Sequence, residues 1–436
     1  IFYIGDIPTE TMSPKSDEAG DVYQLENWIA NRETEQLQYY FKYCYIAINR
    51  ANTVIDHIQN SSVLSETARR RILGEAYFLR AWNYFNLVRT FGIVPVQTKM
   101  VAELSQTTPP MATGLDQLYD LILGDLTRAD NLLEVNKVFG RADKVAAQSL
   151  MAKAYLTIAS SKEHNVHRYT EMRREPQIMY DSAAYWAGKV VRDYKNVYDF
   201  DTNLRDIYDV DKPTGPEHIF IMPIDRSGTQ EGNYSKLPLL FLPSNNSVPF
   251  YIRYGNGDLQ RANGNGWGVF LCNDEFVETQ FSTTDKRRTE LIHRDIYDAS
   301  GNPIVPNQVK GYFSSKYVDP DFIGERTSAR PYLIRFSDIA LVYAEAAGPE
   351  AGLAYVNRIR ERAGVTPLPS GMTTDKFREA VIKERALELA FEGNRLYDLR
   401  FTDAVATTDI KAAGLSEAEA AYYPIPQREI DLNPNL

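Results

Sequence analysis

Two long runs of helix periodicity, separated by a stretch that no long helix can cross, constrain the fold of this chain more than any other feature. In the first run Ser65 stands as a candidate N-cap before Glu66, and Leu73, Tyr77, Tyr84 and Val88 recur at spacings of four and seven. That spacing sets one buried face on a helix over residues 65–90, with Gly92 as its stop and Pro95 barring its resumption. The rings on that face are expected in the core, because helical aromatic stripes usually pack. Similar patterns predict helices near 33–58, 114–133, 144–160 and 181–193. The second run predicts helices near 332–347, 351–363 and 374–391, the last capped at Thr374 or Asp375 and closed at Gly393. Small residues alternating with Leu and Tyr over 146–156, followed after a loop by 180–187, suggest stacked hairpins of tetratricopeptide type.

Between the runs lie Pro213, Pro216, Pro223, Pro238, Pro243, Pro249, Pro303 and Pro306, with the runs Gly255-Asn256-Gly257-Asp258 and Asn263-Gly264-Asn265-Gly266-Trp267-Gly268. These break any long helix across about 200–330 and leave short apolar stretches such as 219–222 as candidate strands. Loops carried on a scaffold are where binding residues usually sit. The tail over about 423–436 reads as extended, since Pro424 and Pro426 favour polyproline-like backbone. The expected architecture is therefore mainly all-α, a single domain over 1–436. Its helical scaffold covers about 33–193 and 331–403, and an irregular, loop-rich region with few short strands lies across it.

Composition narrows the function. A net charge of −10 argues against nucleic-acid or anionic-membrane partners, which would repel the average surface. Cys44 and Cys272 are too few for a disulfide framework and too far apart for a CxxC motif, so both are expected as buried thiols. No apolar run reaches the roughly eighteen residues that a membrane-spanning helix needs. The chain opens at Ile1 without an initiator Met or a signal peptide, which reads as a processed or trimmed N-terminus. Aromatic residues make up 12% of the chain, and tyrosine's flat face and polar tip suit both helix packing and contact with sugars or peptides.

Catalytic patterns are weak. Glu384, Glu388 and Glu392 share one helical face, but no His accompanies them and Arg385, Arg395 and Arg400 are close in sequence. Stacked like charges destabilise a helix unless countered, so a partly buried Glu–Arg network is the better reading than an acid/base face. Asp209-Val210-Asp211 lacks the glycine and closing Glu of a calcium loop, and His164 with His167 lacks further ligands of zinc-site spacing. There is no GxSxG, P-loop or helix-opening GxGxxG, and no cofactor is implied. An all-helical glycosidase, with two carboxyls about 5–10 Å apart across a sugar cleft, remains the enzyme alternative.

Three segments carry a family resemblance. They are Gly74-Glu75-Ala76-Tyr77-Phe78-Leu79-Arg80-Ala81-Trp82, Lys383-Glu384-Arg385-Ala386-Leu387-Glu388-Leu389-Ala390-Phe391-Glu392-Gly393, and Tyr423-Pro424-Ile425-Pro426. With Asn49-Arg50-Ala51-Asn52, Trp267-Gly268 and Asn357-Arg358-Ile359-Arg360-Glu361-Arg362-Ala363-Gly364, their order resembles the SusD/RagB family of surface nutrient-binding lipoproteins. The resemblance implies a SusD-like scaffold of tetratricopeptide-like hairpins and no catalysis. It implies capture of a glycan, or in some members an oligopeptide, for a SusC-like TonB-dependent transporter. It also implies an outer-membrane, extracellular-face location, held by a lipid anchor on a Cys upstream of Ile1. A cytosolic repeat adaptor is a distant alternative.

A sugar offers axial hydrogens to an aromatic face and hydroxyls to planar polar groups, so a site needs an exposed ring beside Asn, Asp or Arg. Two groups satisfy this in loop context: Trp28 with Asn27, Asn31 and Arg32, and Tyr251, Arg253 and Tyr254 with Asn256 and Asp258. Trp267 ranks below both, because its glycine-flanked position resembles a structural segment found across that family.

Overall fold

The computed structural model describes residues 1–18, 20–227, 234–305 and 309–436, so Pro306 lies outside the described residues. Contacts group the chain into two compact units: Asn27–Lys195 with Leu396–Leu436, and Ile1–Glu26 with Asn196–Arg395. The helices Phe336–Ala347, Pro349–Arg362 and Thr374–Glu388 thus fall in the same unit as the Pro-rich segment.

In the first unit the helices Glu35–Ile58, Glu66–Phe91, Leu115–Leu132, Lys144–Glu163 and Pro176–Asp193 pack in chain order, each on the next. Ser65 caps as its chemistry dictates, its hydroxyl accepting the Ala68 N–H at 3.3 Å. Gly92 ends the same helix at a φ of 75°, which favours glycine. Gly74 marks a close approach, because a Cβ there would lie 2.6 Å from the Leu133 Cγ. The Lys144–Glu163 helix is buried nearly all round, and its alanines let neighbours approach on both sides. Its successor starts at Pro176, five residues before the expected 181, since a proline in the first turn gives up an N–H that has no partner there. The tail also departs from expectation. Tyr423 is extended, its N–H donating to the Thr90 carbonyl at 2.9 Å, but Pro426 then serves as N-cap to a short helix, Gln427–Leu432.

Among the described residues, the second unit holds four two-stranded antiparallel sheets. They pair Met12–Pro14 with Phe270–Cys272, His218–Ile221 with Tyr332–Arg335, Phe250–Arg253 with Leu259–Ala262, and Ile292–His293 with Phe313–Ser314. The stretch 219–222 is therefore a strand up to Ile221, as expected, whereas 332–335 is a strand and not the start of a helix. Helix periodicity alone cannot see a partner strand more than a hundred residues upstream. The last long helix has Thr373 at its N-cap position, without a side-chain cap bond, and ends at Glu388; beyond it Phe391 and Gly393 take φ values of 65° and 79°. A core of Leu239, Leu242, Phe250, Ile252, Tyr254, Ala262, Ile296 and Phe313 fixes the hairpin that carries the candidate site.

The glutamate row is an ion-pair network, more deeply buried than expected and with other partners. Glu384 is 2.6 Å from both Arg287 and Arg360. Glu388 lies 2.8 Å from Arg335 and 2.7 Å from Arg362, and Glu392 pairs with Arg335 at 2.8 Å and Lys316 at 2.6 Å. The arginines near in sequence go elsewhere: Arg385 to Asp338, Arg395 to Glu10, and Arg400 to the carbonyls of Arg89, Thr90 and Ala420. Asp209 and Asp211 pair with Lys212 and Arg226. Both cysteines are free and buried.

Candidate ligand cleft

The Phe250–Arg253 and Leu259–Ala262 strands form a hairpin whose turn is Gly255-Asn256-Gly257-Asp258. Strand alternation sends Phe250, Ile252 and Tyr254 into the core and leaves Tyr251 half-buried and Arg253 exposed on the other side. Tyr251 donates its N–H to the Tyr297 carbonyl at 2.7 Å, and the Arg253 guanidinium sits 4.1 Å from the Tyr297 ring centre. Neither lines the cleft. Asp258 accepts from the Asn256 amide at 2.6 Å, and this bond, together with Arg205, holds its carboxyl below the usual range.

Opposite the hairpin runs the short helix Leu204–Ile207, started by Asn203, whose side chain accepts the Arg205 N–H at 3.1 Å. Between them opens a cleft of about 620 Å³, whose lining includes Asn203, Arg205, Asp209, Tyr254, Asp258 and Arg261. Ligand clefts commonly run from about 300 to 1,000 Å³. Arg205 organises it. Its guanidinium lies 4.5 Å from the Tyr254 ring centre and pairs with Asp258 at 3.3 Å and Glu290 at 3.5 Å. The other edge of the Tyr254 ring meets His293 at 5.6 Å between ring centres. Burial pushes the Tyr254 phenol well up, and its hydroxyl donates to Gln260. Burial also pushes the His293 imidazole down to about 3, so it stays neutral beside the Ser315 hydroxyl at 3.0 Å. Arg261 reaches Asp321 at 3.1 Å.

Two sequence expectations need correction. Tyr254 contributes no exposed ring: it is 7% exposed, with Arg205 over one face. Trp28 is 8% exposed, stacked on Tyr423 with ring centres 6.3 Å apart, its indole N–H donating to Asp409 at 3.3 Å. The tail that covers it comes from some four hundred residues away in sequence, so no local pattern announces the burial. Asn31 folds back on its own turn, accepting the Glu33 N–H at 2.8 Å, and Arg32 stays exposed while its carbonyl takes the Gln427 N–H at 3.0 Å. Sequence reasoning did not single out Arg205, whose local signal is the cap at Asn203; Trp267 is 47% exposed.

A family model described as SusD family matches residues 295–414, and a second, described as starch-binding associating with outer membrane, matches residues 7–156. The chain is similar to the SusD family in both its N-terminal and its C-terminal part. Among SusD-like relatives, protein P2 of Formosa agariphila is 23% identical over 95% of this chain and 82% of its own length. A SusD-like protein of Bacteroides ovatus is 24% identical over 81% of this chain and 63% of its own. A SusD superfamily structure from Parabacteroides distasonis aligns with a TM-score of 0.80 at 21% identity, over 99% of this chain and 91% of that one. A laminarin-binding SusD-like protein gives 0.78 at 22% identity over 99% and 92%, and a structure with a xylogluco-oligosaccharide gives 0.77 at 20% over 99% and 93%. The SusD fold, mainly helical with few short strands, is the fold of this chain. Among the described residues no helix is long and apolar enough to cross a membrane.

Proposed function

We propose that this SusD-like protein captures a glycan at the cell surface, in the cleft between Arg205 and Asp258, and passes it to a TonB-dependent outer-membrane transporter. The observation that carries the reading is the cleft's polar lining, already fixed by mutual bonds: Arg205 on Tyr254 and Asp258, Asn256 on Asp258, Arg261 on Asp321. Fixed planar donors and acceptors suit hydroxyls, since little ordering remains to oppose binding. The laminarin and xylogluco-oligosaccharide relatives give the same ligand class.

Charge refines the choice. Among the cleft-lining residues are three carboxylates, of Asp206, Asp209 and Asp258, and two guanidiniums, of Arg205 and Arg261; each guanidinium is already paired with an acid, and Asp206 and Asp209 share Lys212 at 2.8 Å and 3.5 Å, so no cation is left over for an anionic ligand among these groups. Uncharged glycans should therefore bind with little dependence on salt, and a polyuronate at least about tenfold more weakly, which corresponds to about 1.4 kcal/mol. Calorimetry on laminarin, xyloglucan, polygalacturonate and peptides measures this. Arg205→Ala should weaken glycan binding by about 1.5–3 kcal/mol, the worth of hydrogen bonds to a charged group. Unchanged affinity in that variant removes the cleft. An oligopeptide-binding role predicts instead that basic peptides bind, since the acid excess favours them, and that glycans do not.

The location that goes with this reading is the outer leaflet of the outer membrane, with acyl chains on a Cys upstream of Ile1. The stacked hairpins of the Asn27–Lys195 unit offer the broad surface a transporter partner needs. Mild-detergent extraction of native membranes is expected to recover the full-length lipoprotein with a TonB-dependent transporter. Recovery of an unlipidated protein from the cytosol, alone, would refute the assignment.

A further inference from the structure

The basic run Arg69-Arg70-Arg71 opens the Glu66–Phe91 helix, far in sequence from the cleft, and its three guanidiniums fare differently. Arg69 is held by Glu66 at 3.0 Å and by the Gln59 carbonyl at 3.0 Å. Arg70 donates to the Asn131 carbonyl at 2.6 Å and meets no carboxylate among the described residues. Arg71 is exposed and meets no acceptor among them. Arg70 and Arg71 both line a pocket of about 360 Å³, formed by this helix and the 132–143 segment within the Asn27–Lys195 unit.

The body of the pocket is aliphatic. Leu132, Leu133, Val138 and Ala142 line it, and none of its described lining residues is aromatic. Gly74 brings the two leucines against the helix, because a Cβ there would lie 2.6 Å from the Leu133 Cγ and 3.2 Å from the Leu132 Cβ. The opposite wall is fixed in advance. Arg141 closes on Glu75 through two hydrogen bonds, one of 2.9 Å, and the Glu134 carbonyl accepts the Lys144 N–H at 3.1 Å. Asp143 caps the next helix, accepting the Ala146 N–H at 3.0 Å and the Asn136 N–H at 3.3 Å. A ligand therefore meets a pocket with little left to order.

Charge at the rim selects the ligand. Arg141 and Glu75 cancel, and Asp143 is offset by the helix N-terminus it caps. Arg70 and Arg71 are then set against a single unpaired carboxylate, that of Glu134, which leaves one positive charge uncompensated. A sugar would find no ring to stack on and few partners for its hydroxyls. A phosphate would bring up to two charges and a hydration shell that an aliphatic lining cannot replace. A carboxylate matches the planar guanidinium fork with two parallel hydrogen bonds, and an alkyl chain is what the leucine lining takes.

We infer that this pocket binds a single aliphatic chain ended by one carboxylate, as in a medium-chain fatty acid, with Arg71 on the carboxylate and Leu132, Leu133 and Val138 on the chain. The inference does not depend on the glycan reading, since every residue of the pocket lies in the compact unit that does not hold the Arg205 cleft.

The test titrates the whole chain with octanoate by calorimetry, beside hexanoate, acetate and octan-1-ol. Octanoate should bind, and hexanoate should bind roughly 10-fold more weakly for the two methylenes it lacks. Acetate keeps the charge without the chain and octan-1-ol the chain without the charge, so each should fall at least about 10-fold below octanoate. Arg71→Ala should weaken octanoate at least about fivefold, and Glu134→Gln, which removes the competing carboxylate, should tighten it about two- to fivefold. Val138→Asp sets a charge against the chain and should weaken it about 10-fold. All three side chains are exposed, so the variants should melt like the wild type and bind any glycan as it does. Octanoate that binds no better than acetate overturns the inference, as does octan-1-ol that matches octanoate. Equal octanoate affinity in the wild type, Arg71→Ala and Val138→Asp overturns the pocket as the site and leaves the glycan cleft untouched.

Discussion

Replacing Arg335 by Met is expected to destabilise the unit of Ile1–Glu26 and Asn196–Arg395 by about 3–5 kcal/mol, the cost of leaving buried charge without its partner. Arg335 is 1% exposed and makes five hydrogen bonds. Its guanidinium reaches Glu392 at 2.8 Å, Glu217 at 2.9 Å and Glu388 at 2.8 Å, and donates to the Glu388 carbonyl at 2.6 Å. Met fills the volume but leaves three carboxylates to share Arg362, Arg287 and Lys316. Lys would not rescue it, since a point charge cannot replace a planar fork serving three acids. Urea unfolding followed by circular dichroism is the measurement, and a loss below about 1 kcal/mol would show that the network contributes little.

The same network sets a pH limit. Burial pushes the Glu388 carboxyl up, and Arg362, Arg335 and Arg287 together pull it further down, to about 2. An unfolded Glu titrates near 4.3, so the stability this group contributes is present above that value and is lost as pH falls from about 4.3 towards 2. Without Arg335 the folded carboxyl titrates higher, and Arg335→Met should therefore unfold at a less acidic pH than the wild type.

Asp125→Ala should cost the other unit a similar amount, about 3–5 kcal/mol, by stranding Arg80. Asp125 is fully buried and holds Arg80 through two bonds, at 2.6 Å and 2.8 Å. That grip aims the remaining Arg80 donor at the Asn52 side chain, 2.8 Å away, and the Thr98 carbonyl, 3.0 Å away. The pair thus ties the Glu35–Ile58, Glu66–Phe91 and Leu115–Leu132 helices together at one point. Asp125→Asn keeps an acceptor and should lose less. Hydrogen exchange reads the effect by segment: faster exchange is expected first in these three helices, and unchanged protection there would refute the role.

Arg80 also illustrates what a sequence can and cannot say. It stands inside the segment 74–82 that marks the family, on a helix whose periodicity is plain, yet its partner is forty-five residues away. The Glu384, Glu388 and Glu392 row made an ion network legible, because like charges on one face demand counter-charges. Which cations answer was not legible: they come from residues 287, 316, 335, 360 and 362, not from the arginines alongside. At the cleft, Asp258 was legible as a turn residue with a polar role, and Arg205 was not.

The sequence by itself determined the elements whose causes are local. Ser65 caps because its hydroxyl reaches the third N–H after it, Gly92 stops a helix because it tolerates positive φ, and prolines exclude long helices from 200–330. Only the tertiary structure decided which rings are available to a ligand. Trp28 lies in a loop and is covered by Tyr423, whereas Trp267 lies between glycines and is left in the open. Exposure depends on what distant segments of chain cover, and burial of apolar surface is non-directional, so the residues around a ring in sequence do not settle whether it faces the core or the solvent.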